Sequence, residues 1–194
     1  MLRKLILLIV FVLLVGGGYA VVSFWSGGGV PQAFTDARLK GALIAQNIVN
    51  LSNQSTLDLM KINEYEVQGN YTEALNLTTD VVKQSQGIRD QAVELSSQIE
   101  EMTKALSGLD SLEARQAALE SISNRLALLS RLINYSGYLG QLLDVLRNNF
   151  TGKIYNDKAV SFLIDQINAE VRAINNFNGQ AGQAMDRFDK IVNK

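Results

Sequence analysis

Few side chains in this chain are placed to do chemistry, and their spacing decides how far each reading can go. Glu64, Glu66, Glu100 and Glu101 come nearest to a carboxylate cluster. Glu100 and Glu101 are adjacent, so on a helix they share no face. Carboxylate-bridged metals in helical bundles rely on inward-facing Glu-x-x-His pairs, and the chain contains no histidine. It contains no cysteine either, which removes thiolate nucleophiles, disulfides, Cys-ligated zinc and iron–sulfur clusters. No Ser-x-x-Lys dyad, Gly-x-Ser-x-Gly elbow, phosphate-binding loop or dinucleotide fingerprint occurs. These residues predict a protein that is not an enzyme and uses no cofactor or metal.

Two other groups of residues carry weaker signals. Asn-x-Ser/Thr triplets begin at Asn50, Asn53, Asn70, Asn76, Asn134 and Asn149. A glycan acceptor must be exposed and outside the cytoplasm. Asn70 and Asn149 fall at expected turns and are the two candidates, whereas Asn50 and Asn134 fall within expected helices. The competing reading is a chain that uses amides and hydroxyls, rather than charges, on its wet surface. Tyr135, Tyr138 and Tyr155, with Asn134 and Asn156, are candidates to line a small-molecule pocket. Aromatic packing at helix ends is the plainer account of them. Gly69-Asn70-Tyr71-Thr72-Glu73-Ala74-Leu75 is similar to the junction of a tetratricopeptide repeat. The likeness spans that segment alone and nothing recurs one repeat later.

The N-terminus suggests where these residues are held. Arg3 and Lys4 precede an uncharged run from Leu5 to Trp25 that includes Phe11, Leu14 and Tyr19. At about 1.5 Å per residue such a helix spans roughly 30 Å, the thickness of a bilayer core. Tyr19, Phe24 and Trp25 gather at its far end, where aromatic rings favour the interface. Residues 1–25 therefore read as a single transmembrane anchor, with Leu5, Phe11, Leu14, Tyr19 and Trp25 as its markers. The two basic residues favour a cytoplasmic N-terminus and an extracytoplasmic remainder. A cleaved signal peptide competes, since Gly18-Tyr19-Ala20 offers small residues at −3 and −1 and would release a secreted chain. Gly16 and Ala20 also form a small-xxx-small pair, a spacing that lets anchors pack closely but is common in spanning helices.

Residues 26–34 read as a glycine-rich tether leading to Pro31, the only proline among 194 residues. Beyond it the apolar period is 3 to 4 residues, and four helices are expected at about 35–67, 71–106, 112–150 and 156–192. Thr35 is the expected cap of the first helix. Ile44, Ile48, Leu51, Leu59 and Ile62 form the first stripe. Tyr71, Leu75, Val82, Leu95, Ile99, Met102 and Leu106 form the second, with Thr78, Ser85 and Ala92 filling the remaining positions. The third helix carries two stripes: Leu119, Ile122, Leu126, Leu129 and Ile133, and beside them Leu128, Leu132, Tyr135, Leu139, Leu142 and Leu146. Val160, Leu163, Ile167, Val171, Ile174 and Phe177 open the fourth, which Gly179 and Gly182 either soften or split. Short links between long helices predict an all-α, antiparallel up-down-up-down four-helix bundle over 35–194. Ser55, Thr78, Ser85, Ser136 and Gly140 dilute the seam and predict loose or wet packing at mid-height.

The order of anchor and helices resembles that of single-pass bundles of the LemA type. Their arginine-rich segment with Asp-Leu-Ile-Pro-Asn has no counterpart here, where Asp36-Ala37-Arg38-Leu39-Lys40 stands in its place. The bundle is also similar to chemoreceptor sensory domains, but the C-terminal Asp186–Lys194 carries no second span. Neither resemblance assigns a family. The residues after Trp25 hold 16 basic against 19 acidic side chains, a net charge of −3, which leaves no basic patch for nucleic acid. The expected function is a membrane-anchored interaction or scaffold module of a cell-envelope complex, with a protein partner or a second copy of itself. The alternatives are a ligand-binding or sensing subunit and a secreted structural protein.

Overall fold

The computed structural model describes residues 29–152 and 156–193. Four long α-helices account for nearly all of them: α1 (Gln32–Val67), α2 (Tyr71–Ala105), α3 (Leu112–Phe150) and α4 (Asp157–Val192). One turn of 3₁₀ helix, Leu106–Gly108, follows α2, and no strand occurs among the described residues. No helix among the described residues is long and apolar enough to cross a membrane. The expected anchor, with Leu5, Phe11, Leu14, Tyr19 and Trp25, lies outside the described residues.

Local chemistry sets most helix ends. Gly69 takes φ +73° after α1, a left-handed conformation open to glycine at little cost. That turn lets Asn70 N–H donate to Tyr65 C=O and Gly69 N–H to Glu66 C=O, a Schellman closure. Ser111 Oγ and Asn156 Oδ1 cap α3 and α4 by accepting from Ala114 N–H and Ala159 N–H. The first helix departs from expectation. It begins at Gln32 rather than Thr35, because Pro31 presets a helical φ of −58° and Phe34 is drawn into the core. The tether is shortened accordingly. The fourth helix resolves the other way: it runs through Gly179 and Gly182 without a break.

Consecutive helices pack against one another, and the hydrogen bonds between them run antiparallel. Asn47–Gln91 and Ser55–Gln84 join α1 to α2, while Ser121–Ala181 and Asn134–Glu170 join α3 to α4; in each, one number rises as the other falls. The all-α four-helix bundle expected from the apolar period is therefore the observed fold. One contiguous core links Phe34, Ile48, Leu59, Ile88, Ile99, Tyr135, Leu142, Ile167 and Phe188. α1 and α4 meet at the end where both chain segments enter and leave, through the Phe34 and Phe188 rings, tilted at 37° with centroids 5.1 Å apart.

Two expectations about packing are corrected. Ile122 and Leu129 are buried as expected, but Leu119, Leu126 and Ile133 are about half exposed. The row lies three residues before Ile122 and Leu129, about 60° further round the helix, and so turns toward solvent. Tyr71 is likewise half exposed at the start of α2. The seam hydroxyls, by contrast, do not loosen the core. Ser55, Thr78, Ser85 and Ser136 are all buried and hydrogen bonded.

Candidate functional site

Polar side chains enter the bundle at three levels, and each tests a reading of the sequence. At mid-height, α2 and α3 approach closely enough for Ser85 Oγ and Ser136 Oγ to lie 3.0 Å apart. Each hydroxyl also bonds the other residue's backbone: Ser85 to Ser136 C=O at 3.2 Å, and Ser136 to Ser85 C=O at 3.0 Å. Only small residues permit such an approach. Tyr135, the neighbour of Ser136, is fully buried in contact with Ser52 of α1. Burial pushes its phenol above the ordinary range, and the contact with Ser52 partly offsets that shift.

Beside it, α1 and α2 share a carboxylate. Asp58 is 4% exposed and accepts from Gln54 Nε2 at 2.9 Å and Gln84 Nε2 at 2.7 Å. Gln84 Oε1 in turn accepts from Ser55 at 2.8 Å. Two amide donors, with Lys61 Nζ 4.0 Å from Oδ1, satisfy the carboxylate as a buried acid requires. Glu170 plays the matching part between α3 and α4, with Asn134 Nδ2 at 3.4 Å and Arg131 Nη1 at 3.6 Å. The sequence reading missed both acids. The signal was present: Asp58 follows Leu51 and Ser55, and Glu170 follows Leu163 and Ile167, each at the spacing of a buried stripe.

Near the entry end, Arg38 forms a two-pronged pair with Asp189 at 2.6 and 2.7 Å, joining α1 to α4. Arg125 of α3 reaches toward it, half-buried, with Nε 3.5 Å from Ser121 Oγ. Burial and the Arg38 charge pull the Arg125 guanidinium down to about 10. Asp189 is the carboxylate that pairs with Arg38.

The residues singled out from sequence do not converge. Tyr138 lies twelve residues before the end of α3, about 18 Å along the helix from the turn that holds Asn156. Asn134 is exposed, Tyr135 is buried, and Tyr155 lies outside the described residues. An open groove of about 450 Å³ lies elsewhere, between α1 and α2, lined by Asn47, Asn50, Leu51, Gly87, Asp90 and Gln91. Its floor is Leu51, whose Cδ1 sits 3.2 Å from where a Cβ on Gly87 would stand. Among the described residues no cluster of acids is arranged to hold a metal ion.

The six Asn-x-Ser/Thr triplets sort by burial. Asn70 is exposed at the turn before α2. Asn149 is half-buried: its Oδ1 accepts from Asn156 N–H at 3.3 Å, and its Nδ2 is buried without a partner. The third residues of four other triplets, Ser52, Ser55, Thr78 and Ser136, are core hydroxyls. In three of them an exposed asparagine, Asn50, Asn76 or Asn134, sits two residues before an inward hydroxyl, while Asn53 is itself half-buried. The hydroxyls therefore serve the seam and not a wet surface. In comparisons with models of protein families, with curated proteins and with solved structures, the chain matches none.

Proposed function

We propose that the chain is a non-catalytic, membrane-anchored interaction module whose helical bundle stands outside the cytoplasm. The observation that carries this reading is the uncharged run from Leu5 to Trp25 behind Arg3 and Lys4. The Ser26–Gly29 tether then gives the bundle freedom to meet a partner. Long, mostly uncharged outer faces suit a scaffold within an envelope complex better than chemistry on a small molecule. The acidic balance disfavours nucleic acid as that partner.

The experiment is membrane fractionation of cells making the full chain. Resistance to alkaline extraction, together with external protease access to the bundle, is the expected result. A mature chain that begins at Val21 and leaves the cell would overturn the anchor in favour of a secreted structural protein. Ligand binding is a second reading, which the α1–α2 groove favours. A small-molecule screen would then raise the melting temperature in proportion to ln(1 + [L]/Kd). Asn70, exposed at its turn, is the proposed glycan acceptor of the two sequence candidates, because the Asn149 Nδ2 that would carry the glycan is buried.

A further inference from the structure

The outer face of α3 carries an apolar row that the bundle does not use. Leu112, Leu119, Leu126 and Ile133 are 67%, 51%, 50% and 50% exposed and recur every seven residues. Four residues after each stands a small or uncharged one, in order Gln116, Ser123, Ser130 and Gly137. The result is an uncharged seam with the 4–3 spacing of a coiled coil, alternating large with small. Gly137 sharpens the point. A Cβ there would meet nothing within 4 Å, so no contact inside the chain calls for glycine in mid-helix, where it costs about 0.5–1 kcal/mol relative to alanine.

We infer that this face pairs with the same face of a second copy, the two α3 helices running antiparallel. Set about a two-fold axis between residues 124 and 125, each large side chain meets a small or uncharged one. Leu119 lies opposite Ser130 of the second copy, Leu126 opposite Ser123, Leu112 opposite Gly137, and Ile133 opposite Gln116. A parallel pair would instead stack leucine on leucine and serine on serine, leaving gaps at every second layer. Charge agrees with the antiparallel choice. The same axis brings Glu120 beside Arg131 of the second copy, twice. Within the chain, Glu120 pairs with Arg187, and Arg131 stands 3.6 Å from Glu170; Glu120 and Arg131 are exposed at these positions and can share.

The seam from Leu112 to Gly137 is about 38 Å long. A helix pair of that length, about 10 Å across, removes on the order of 400 Å² per copy, less in total than the roughly 1,000 Å² a free-standing dimer clears. The pair is therefore weak in dilute solution and gains from confinement of both copies to one surface. In this respect alone the inference rests on the anchored reading.

The absence of cysteine makes the test direct. Full-length Ser123→Cys and Leu126→Cys chains with different tags are made together and oxidised on native membranes. A mixed disulfide between the two tags is expected, at least five-fold above any self-disulfide formed by Leu119→Cys or Ile133→Cys. Val67→Cys, exposed on α1, gives the level of random collision. Adding Leu119→Lys to both chains should abolish the mixed disulfide while helical content stays unchanged. Self-disulfides along the whole seam would overturn the antiparallel pair. Adducts with another protein, or crosslinking no better than that of Val67→Cys, would overturn the self-pairing altogether. Recovery of the chain in the membrane pellet is scored separately, so loss of the anchor is told apart from loss of the dimer.

Discussion

The two ends of the bundle are closed by opposite means. At the entry end, α1 and α4 are drawn together by a tilted ring pair and by a cation against an anion: Phe34 on Phe188, Arg38 on Asp189. Pro31 seals that end by lying over Gly108, where a Cβ would come within 2.8 Å of its ring. At the far end, Tyr71 and Phe150 are 6.0 Å apart and join α2 to α3, with Tyr71 half in water. The α1–α4 junction there brings Glu66 toward Asp157, two acids. The end nearest the tether is closed by a ring pair and an ion pair, the far end by one ring pair that is half in water. If a partner or a load acts on this bundle, the far end is where the helices separate first.

The largest effect should come from the entry end. Phe34→Ala removes a fully buried ring and leaves a cavity, at a cost of about 3–5 kcal/mol. Thermal or denaturant unfolding should show a drop in midpoint of many degrees. Tyr71→Ala, at the far end, removes a half-exposed ring and one aromatic pair, about 0.5–1.5 kcal/mol. Equal losses at the two positions would break the comparison.

How much of this was legible beforehand follows from which forces leave a pattern. Burial repeats, so four helices and most core residues could be read from Ile44, Ile48, Ile62, Ile99, Leu142 and Ile174. The buried acids Asp58 and Glu170 sat at stripe positions, yet their amide partners Gln84 and Asn134 come from other helices at no fixed spacing. The half-exposed row Leu119, Leu126 and Ile133 was read as core because periodicity registers apolar residues and not what covers them. The triplets at Asn50, Asn76 and Asn134 do not mark a surface turn, since a helix turns an outward amide and an inward hydroxyl into the same motif. Arg125 beside Arg38 had no signal at all: their approach depends on how α1 and α3 sit across the core.

The charges at the entry end give a smaller and asymmetric effect. Arg38 and Asp189 are partly exposed, so their pair contributes about 0.5–1 kcal/mol and less at high salt. Asp189→Asn leaves Arg38 and Arg125 facing one another without a carboxylate, so it should lower stability more than Arg38→Met, which also removes the repulsion. Chemical denaturation of the two variants at low and at high salt checks the order. A larger loss from Arg38→Met would show that Arg125 plays no part.

The smallest effect tests the far end through pH. Burial, with the Asp157 charge adding to it, holds the Glu66 carboxyl above its ordinary value of 4.5. The folded chain therefore binds more protons at this site than the unfolded chain does just above that value. Stability from this group is greatest at lower pH and falls as pH rises through the window above 4.5. Glu66→Gln keeps the shape, removes the charge and should flatten that slope, leaving the variant level with the parent in acid and slightly more stable at neutral pH. Melting temperatures at pH 4 to 7 decide it. A Glu66→Gln chain that loses stability at neutral pH would mean the carboxylate is held by a favourable contact, and the far end would then be closed as firmly as the other.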